Sequence, residues 1–240
     1  MNSQHINILV FNLGLTDFKS TWDLQRRLFQ LRVGQNIPDI LLLNEHQHVY
    51  TFGKNSDPDH LLAGREELIR SGAEVFHIDR GGDVTYHGPG QLVGYPILDL
   101  KHYYFDVHRY MRDIEEVLIR TLKEYGITAT RDSEYTGVWV AGEKIAAIGI
   151  KVSHWVTMHG FALNVNTDLS RFHRIIPCGI FHRGVTSLGQ LVHDRVDLTE
   201  VSGIVVKKFE EVFGIDALLS PVSVGNFLDQ HTQANVECLP

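Results

Sequence analysis

Between Arg80 and Gln91 the chain reads RGGDVTYHGPGQ, four glycines and one proline within twelve residues. Glycine lets the backbone approach a ligand closely and take φ > 0, so this composition is that of a loop. The same loop carries an Arg, an Asp, a Thr, a Tyr and a His, which bring donors, acceptors and one titratable imidazole. Tight turns alone account for such glycines equally well. Strand-like sequence on both sides, residues 75–78 and 92–98, favours the other reading, a loop held on a sheet, where function concentrates.

The remaining patterns place elements around that loop. Residues 6–13 read as a strand, after which Thr16 or Asp17 caps a helix bearing Trp22, Leu24, Leu28 and Leu31. Residues 40–44 form a continuous apolar run expected to be a buried strand, and residues 49–52 a further strand ending at Gly53. Asp57-Pro58 opens an expected helix with Leu61, Leu62 and Leu68 on one face and Gly72 as its stop. Asp106 caps a long amphipathic helix whose stripe is Met111, Ile114, Val117, Leu118 and Leu122, ended by Gly126. Residues 138–152 are an expected hairpin turning at Ala141-Gly142, and residues 156–165 a further strand. Residues 168–186 read as irregular, Thr199 begins a last clear helix to Val212, and the tail beyond Pro221 is weakly patterned.

Strands outnumber helices and cluster as hairpins, which predicts an α+β fold with a mixed or antiparallel sheet and flanking helices. The regular alternation of a doubly wound sheet is absent. At 240 residues one domain is expected, with a core over 1–215 and a C-terminal tail over 216–240.

A net charge of −7 argues against a general nucleic-acid binder, which needs a basic face for phosphates. No apolar run approaches the length that spans a bilayer, and residues 1–14 lack the regions of a secretory signal, so the cytoplasm is expected. There Cys178 and Cys238 remain thiols. No dimerisation pattern is visible, which predicts a monomer.

Cys178 lies in IIPCG, where the proline before it and the glycine after it favour a fixed, exposed turn over an inert buried thiol. At an ordinary pKa of ~8.5 only a few per cent of a cysteine is thiolate near neutral pH. Lowering that pKa by about two units corresponds to roughly 3 kcal/mol, within what one nearby cation supplies. Lys144 begins a run that is otherwise small or apolar; it is either a solvated strand end or, at a site, a cation able to stabilise a thiolate. Cys238 is read as incidental. His46 and His48 lack a third ligand at metal-binding spacing, so no metal is expected. His87 and His159 stand out because each precedes a glycine, whereas His60, His102, His108 and His231 read as surface or satisfied polar residues.

Four blocks, RGGDVTYHGPGQLVGYP, GEKIAAIGIKV, HGFALNVNTDL and IIPCGI, in this order and at these intervals, resemble the signature of the lipoate-protein octanoyltransferase family across residues 41–191. The resemblance implies the fold of biotin and lipoate protein ligases. It implies transfer of an octanoyl group from octanoyl-acyl carrier protein to a lysine of lipoyl domains, those of 2-oxoacid dehydrogenase complexes and of the glycine cleavage H protein. It makes Cys178 the acyl-thioester nucleophile and Lys144 the residue that lowers its pKa. Substrate contacts would come from Arg80, Gly81, Gly82, Asp83, Val84, Thr85, Tyr86 and His87, from Ala147, Ile148 and Gly149, and from Gly160, Phe161 and Ala162. Asp83 stands at a position variable in the family, and the segment after Leu191 carries no transferable motif.

No cofactor is implied, because thioester to amide runs downhill without a nucleotide. An eight-carbon chain needs a narrow apolar slot, for which Tyr86, Phe161 and Leu163 are candidates, with core packing the expected fate of Leu163. Alternatives are an ATP-dependent lipoate or biotin ligase, which needs no cysteine, a non-catalytic scaffold for the same partners, and, last, a metal hydrolase. Because acyl carrier proteins and lipoyl domains are acidic, a local basic rim is expected from some of Lys151, Arg171, Arg174 and Arg183.

Overall fold

The apolar run at residues 40–43 becomes a central strand in the computed structural model, which describes residues 6–176 and 183–233. In chain order the elements are β1 (Asn7–Thr16), α1 (Phe18–Val33), β2 (Asp39–His46), β3 (Val49–Phe52), α2 (Arg65–Arg70), β4 (Glu74–His77), β5 (Thr85–His87), β6 (Gln91–Ile97) and α3 (Val107–Lys123). Then come β7 (Thr130–Arg131), β8 (Val138–Val140), β9 (Glu143–Ser153), β10 (Val156–Asn164), α4 (Leu188–Val192), α5 (Leu198–Phe213), β11 (Asp216–Leu219) and α6 (Val224–Gln233).

Eight strands form the main sheet in the order β11-β1-β2-β6-β10-β9-β8-β7. The first three are parallel to one another and the remaining pairings are antiparallel, so the sheet is mixed, as the sequence pattern predicts. Both faces are covered, which is why β2 is apolar at consecutive positions rather than alternating. Leu41 and Leu43 pack with Ile114, Val117 and Leu118 of α3 and with Val205 and Phe209 of α5. Ile40 and Leu42 face the other way, onto Leu28 and Phe29 of α1 and Phe227 and Leu228 of α6. A second sheet, β4-β3-β5, stands beside the first and has its own core around Tyr50, Phe52, Val84, Tyr86 and Phe172.

The caps expected at Asp17 and Asp106 are present: each carboxylate accepts a backbone N–H of the first helical turn, from Ser20 and Arg109. Three expectations need correction. The helix expected after Asp57 is only a 3₁₀ turn, Pro58–His60, followed after a break by α2. Leu61 leaves the helix to bridge Ile175, and Leu62 is 59% exposed, so the three leucines do not share a face. The irregular segment contains a 3₁₀ helix, Leu169–Arg174, and the short helix α4. Finally, the weakly patterned tail supplies α6, and β11 pairs with β1 as an edge strand of the main sheet.

Phe227 packs edge-on against Phe11 with ring centroids 5.4 Å apart, joining α6 to the sheet. Phe227→Ala is expected to cost about 3 kcal/mol, read as a lower denaturant midpoint. An unchanged midpoint would show that α6 does not share the fold's cooperative core.

Candidate active site

Lys144 owes its position to two local features. The β8–β9 turn is two residues long, with Ala141 at φ 49° and Gly142 at φ 85°, the left-handed pair that a tight hairpin requires. Just beyond it β9 bulges: Trp139 pairs with Lys144 but Val138 pairs with Ala146, leaving one extra residue on β9. Ile145 and Ala146 therefore both enter the core, while Lys144 and Ala147 line a cavity on the sheet's other side.

The cavity encloses about 840 Å³, its mouth included, and lies between the middle of the main sheet and the glycine-rich loop. Val93 and Tyr95 of β6, Gly160, Phe161 and Ala162 of β10, and Ala147, Ile148 and Gly149 of β9 form one wall. Arg80, Gly82, Asp83, Val84, Thr85 and His87 form the opposite wall, with Phe18, Ile78, Phe172 and Val185 completing it. Close approach explains two glycines here, one in the wall and one behind the loop: a Cβ on Gly149 would sit 2.8 Å from Cδ of Arg80, and one on Gly53 would sit 2.2 Å from the Gly82 carbonyl oxygen. The loop is tied to β9 where the Gly81 N–H donates to the Ile150 carbonyl, 2.9 Å.

At the Lys144 end the ammonium lies 4.8 Å from the centroid of the Trp139 ring, and the Lys144 side chain is almost wholly buried. Its stem runs beside Gly137, where an added Cβ would meet the Ala146 carbonyl oxygen at 2.7 Å and Cε of Lys144 at 3.4 Å. Gly137 is held at φ 135°, and its N–H donates to Oε1 of Glu115, 3.1 Å. Glu115 is 0% exposed on α3 and also pairs with Arg112 at 2.7 Å and Arg131 at 3.2 Å.

A continuous set of hydrogen bonds crosses the cavity wall. Arg80 donates from Nη2 to the Thr51 carbonyl, 2.7 Å, and to Thr51 Oγ1, 3.0 Å. Thr51 Oγ1 lies 3.5 Å from His87 Nε2, and His87 Nδ1 lies 2.8 Å from Gln91 Oε1. Gln91 Nε2 donates to Asn164 Oδ1, 3.0 Å, and Asn164 Nδ2 donates to the Thr186 carbonyl, 3.0 Å. Thr186 N–H in turn donates to the Lys144 carbonyl, 3.0 Å. Because the Gln91 amide nitrogen is a donor here, its oxygen is the acceptor and His87 carries its proton on Nδ1.

Burial pushes His87 down to about 3 and His46, bonded to the Tyr95 hydroxyl at 2.6 Å, down to about 4. Both imidazoles are neutral at physiological pH. His159 takes φ 60° inside β10; its Nε2–H donates to Asp79 at 2.8 Å, and that bond, with Lys151 at 2.6 Å, holds the Asp79 carboxyl well below the usual range.

Thirteen residues expected from the sequence line this one cavity: Lys144, Arg80, Gly82, Asp83, Val84, Thr85, His87, Ala147, Ile148, Gly149, Gly160, Phe161 and Ala162. Gly81 takes part through its backbone only. Tyr86 is corrected: fully buried in the small-sheet core, its hydroxyl bonds His48 Nδ1 at 2.7 Å, so it is no lining group. Leu163 is in the main core, as expected. Cys178 and Cys238 lie outside the described residues. His60, read as a surface or satisfied residue, pairs with Asp83.

Each of the four residues expected to form a basic rim meets a carboxylate: Lys151 with Asp79, Arg171 with Asp168, Arg174 with Glu67 and Arg183 with Asp132. Sequence reasoning missed Glu115, Gln91, Asn164, Thr51 and Ile78. For Glu115 a signal existed, since a carboxylate there sits in register with the apolar positions 118 and 122 of a helix.

Residues 17–210 match the model of the lipoyl protein ligase A/B catalytic domain family. An octanoyltransferase of Rubrobacter xylanophilus is 55% identical over 203 residues, spanning 84% of this chain and 91% of that protein. An octanoyltransferase of Christiangramia forsetii is 48% identical over 221 residues, spanning 85% and 94%. Among solved structures, a bi-partite lipoate protein ligase of Thermoplasma acidophilum aligns with a TM-score of 0.69 at 17% identity, covering 98% of this chain and 92% of that one, a likeness of fold.

Gly137→Ala sets a Cβ 2.7 Å from the Ala146 carbonyl oxygen and holds an L residue at φ 135°, so it is expected to lower the melting temperature and, by shifting the strand that carries Lys144, acyl transfer at least tenfold in the protein that remains folded; unchanged transfer would detach Gly137 from the Lys144 position. The buried histidines set a pH dependence. Their folded pKa values lie below the unfolded value of about 6.5, so their neutral burial is fully stabilising above that pH and is lost as pH falls toward 4 to 3. The melting temperature is expected to fall from pH 7 to pH 4, and His87→Gln to flatten that fall. Equal slopes in the two proteins would contradict the burial of a neutral His87.

Proposed function

Because the chain belongs to the lipoyl protein ligase A/B catalytic-domain family and is a transferase enzyme, we propose that it takes an octanoyl group from octanoyl-acyl carrier protein, holds it as a thioester on Cys178 and passes it to a lysine of a lipoyl domain. The observation that carries this reading is Lys144, an ammonium buried at one end of an otherwise largely apolar cavity. A buried cation beside an apolar space suits a reaction in which an anion develops at the head of a hydrocarbon chain. The described residues nearest Cys178 on either side, Ile176 and Arg183, line a groove that shares Phe172 and Val185 with the cavity.

In the first half-reaction the Cys178 thiolate attacks the donor thioester carbonyl. A C–S bond to the enzyme forms, the carrier's sulfur leaves as a thiolate, and the Lys144 ammonium supplies its proton. In the second, the neutral amine of the acceptor lysine attacks the enzyme thioester. The amide C–N bond forms, Cys178 leaves as thiolate, and the neutral Lys144 amine takes back the proton lost by the nucleophile. Lys144 thus returns to its starting charge with each turnover. Arg80 and the glycines around it shape the wall, and the neutral His87–Gln91–Asn164 chain adds no charge against the acyl group. The acceptors on this reading are lipoyl domains of 2-oxoacid dehydrogenase complexes and the glycine cleavage H protein, and the enzyme acts as a cytoplasmic monomer without cofactor or metal. Among the described residues no helix is long and apolar enough to cross a membrane.

Incubation with octanoyl-acyl carrier protein is expected to add one octanoyl mass to the intact enzyme, to map to Cys178, and to vanish in Cys178→Ser. Lys144→Met is expected to move the rising limb of the kcat/KM profile about two pH units upward, roughly a hundredfold loss near neutral pH. Full transfer by Cys178→Ser, or a requirement for ATP, would overturn the thioester route.

A further inference from the structure

The cavity has a far end. Along β9 it runs from Lys144 past Ala147 and Gly149, and the paired positions on β10 run from Asn164 to Gly160 and His159. Beyond that end, at the level of Lys151 and Met158, lies a second groove of about 1600 Å³ including open solvent, with Trp22, Phe29 and Met158 among its walls.

Ile78 lines both spaces and is the residue they share. It is 8% exposed, packs with Phe18 and Val49, and is anchored by its N–H donating to the Phe52 carbonyl, 2.8 Å. Beside it the partition is polar: His159 reaches from the cavity side to Asp79 on the groove side. The polar part of that wall resists a hydrocarbon terminus, because contact would strip the Asp79 carboxylate of water without a new partner. The apolar part is one side chain.

We infer that Ile78 is the end stop of the acyl slot and sets the longest saturated acyl chain the enzyme accepts. The inference rests on the acyl chemistry placed at Lys144 above, which sets the carbonyl at one end and the terminal methyl at the other. With Ile78 in place, a chain longer than the slot has to displace an anchored side chain from a packed cluster. With it truncated, two further methylenes pass into the neighbouring groove, where Trp22, Phe29 and Met158 provide apolar contact.

The test is a chain-length profile: kcat/KM for hexanoyl-, octanoyl-, decanoyl- and dodecanoyl-acyl carrier protein with the parent enzyme, Ile78→Ala and Ile78→Phe. Burial of one more methylene is worth roughly a fourfold gain, so Ile78→Ala is expected to raise the decanoyl-to-octanoyl ratio about fifteenfold. Ile78→Phe is expected to lower the octanoyl-to-hexanoyl ratio by at least tenfold, and it carries the test alone should the alanine variant not fold. If the folded variants rank the four donors as the parent does, Ile78 is not the stop. Formation of an octanoyl adduct by the parent at Cys178 separates the two levels: without that adduct the thioester reading fails and takes the end stop with it, whereas an adduct with unchanged ranking removes only the end stop.

Discussion

A lysine ammonium taken out of water must be compensated by its surroundings, and the fold around Lys144 reads as the means of doing so. The Trp139 face accepts the charge, and the same indole lies 5.1 Å from the Arg183 guanidinium, which is itself bonded to Asp132. A tryptophan between two cations offers each a share of its quadrupole. The rest of the arrangement follows from keeping Lys144 in that place. A bulge re-aims its side chain, a two-residue turn starts its strand, and Gly137 leaves room for its stem. Glu115, a carboxylate inside the α3 core, makes sense as the acceptor that fixes Gly137, with Arg112 and Arg131 balancing its charge. α3 is therefore more than a cover for the sheet.

The other half of the cavity solves a different problem. Its wall carries polar side chains that would oppose an apolar ligand if they were charged or unpaired. His87, Gln91 and Asn164 are neutral and donate to one another in sequence, so their polarity is spent inside the wall. Arg80 is charged, yet its guanidinium is turned onto Thr51 and the Gly81 carbonyl. The glycine-rich loop is thus tied down for a physical reason: Arg80 bonds Thr51 of β3, His87 bonds Gln91 of β6 and the Gly81 N–H bonds the Ile150 carbonyl of β9, which fixes the loop's distance from Gly149 and Gly160.

Much of this was legible in sequence, and the unread parts have a common cause. The longer strands, the caps at Asp17 and Asp106 and the Ala141-Gly142 turn are local signals, set by residues within a few positions of each other, and they appear where expected, whereas the short β5, β7 and β11 carry no such signal. Lys144 and the loop 80–87 were recognisable by composition and resemblance. What could not be read was partnership across the chain. Tyr86 looks like a lining residue until His48 and the small-sheet core claim it. Gln91 and Asn164, 73 positions apart, are ordinary polar residues until β6 and β10 bring them together. The break after His60 is another case: Leu61 pairs with Ile175, a contact more than a hundred residues distant that overrides local helix preference.

The pairing of the basic residues around the cavity bears on how, on the proposed route, two protein partners could use it in turn. With Lys151, Arg171, Arg174 and Arg183 each already holding a carboxylate, docking an acidic surface exchanges one ion pair for another instead of creating one. These pairs lie at or just beneath the surface, so each cation already has most of what a partner's carboxylate would give it, and the exchange adds little. On the proposed route a carrier that departs before the acceptor arrives would gain from that neutrality, since strong electrostatic capture of the first partner would slow its release and block the second. On the proposed route specificity then has to reside in the cavity rather than on the rim: in the depth available to the acyl chain and in the buried Lys144 ammonium that its carbonyl end must reach.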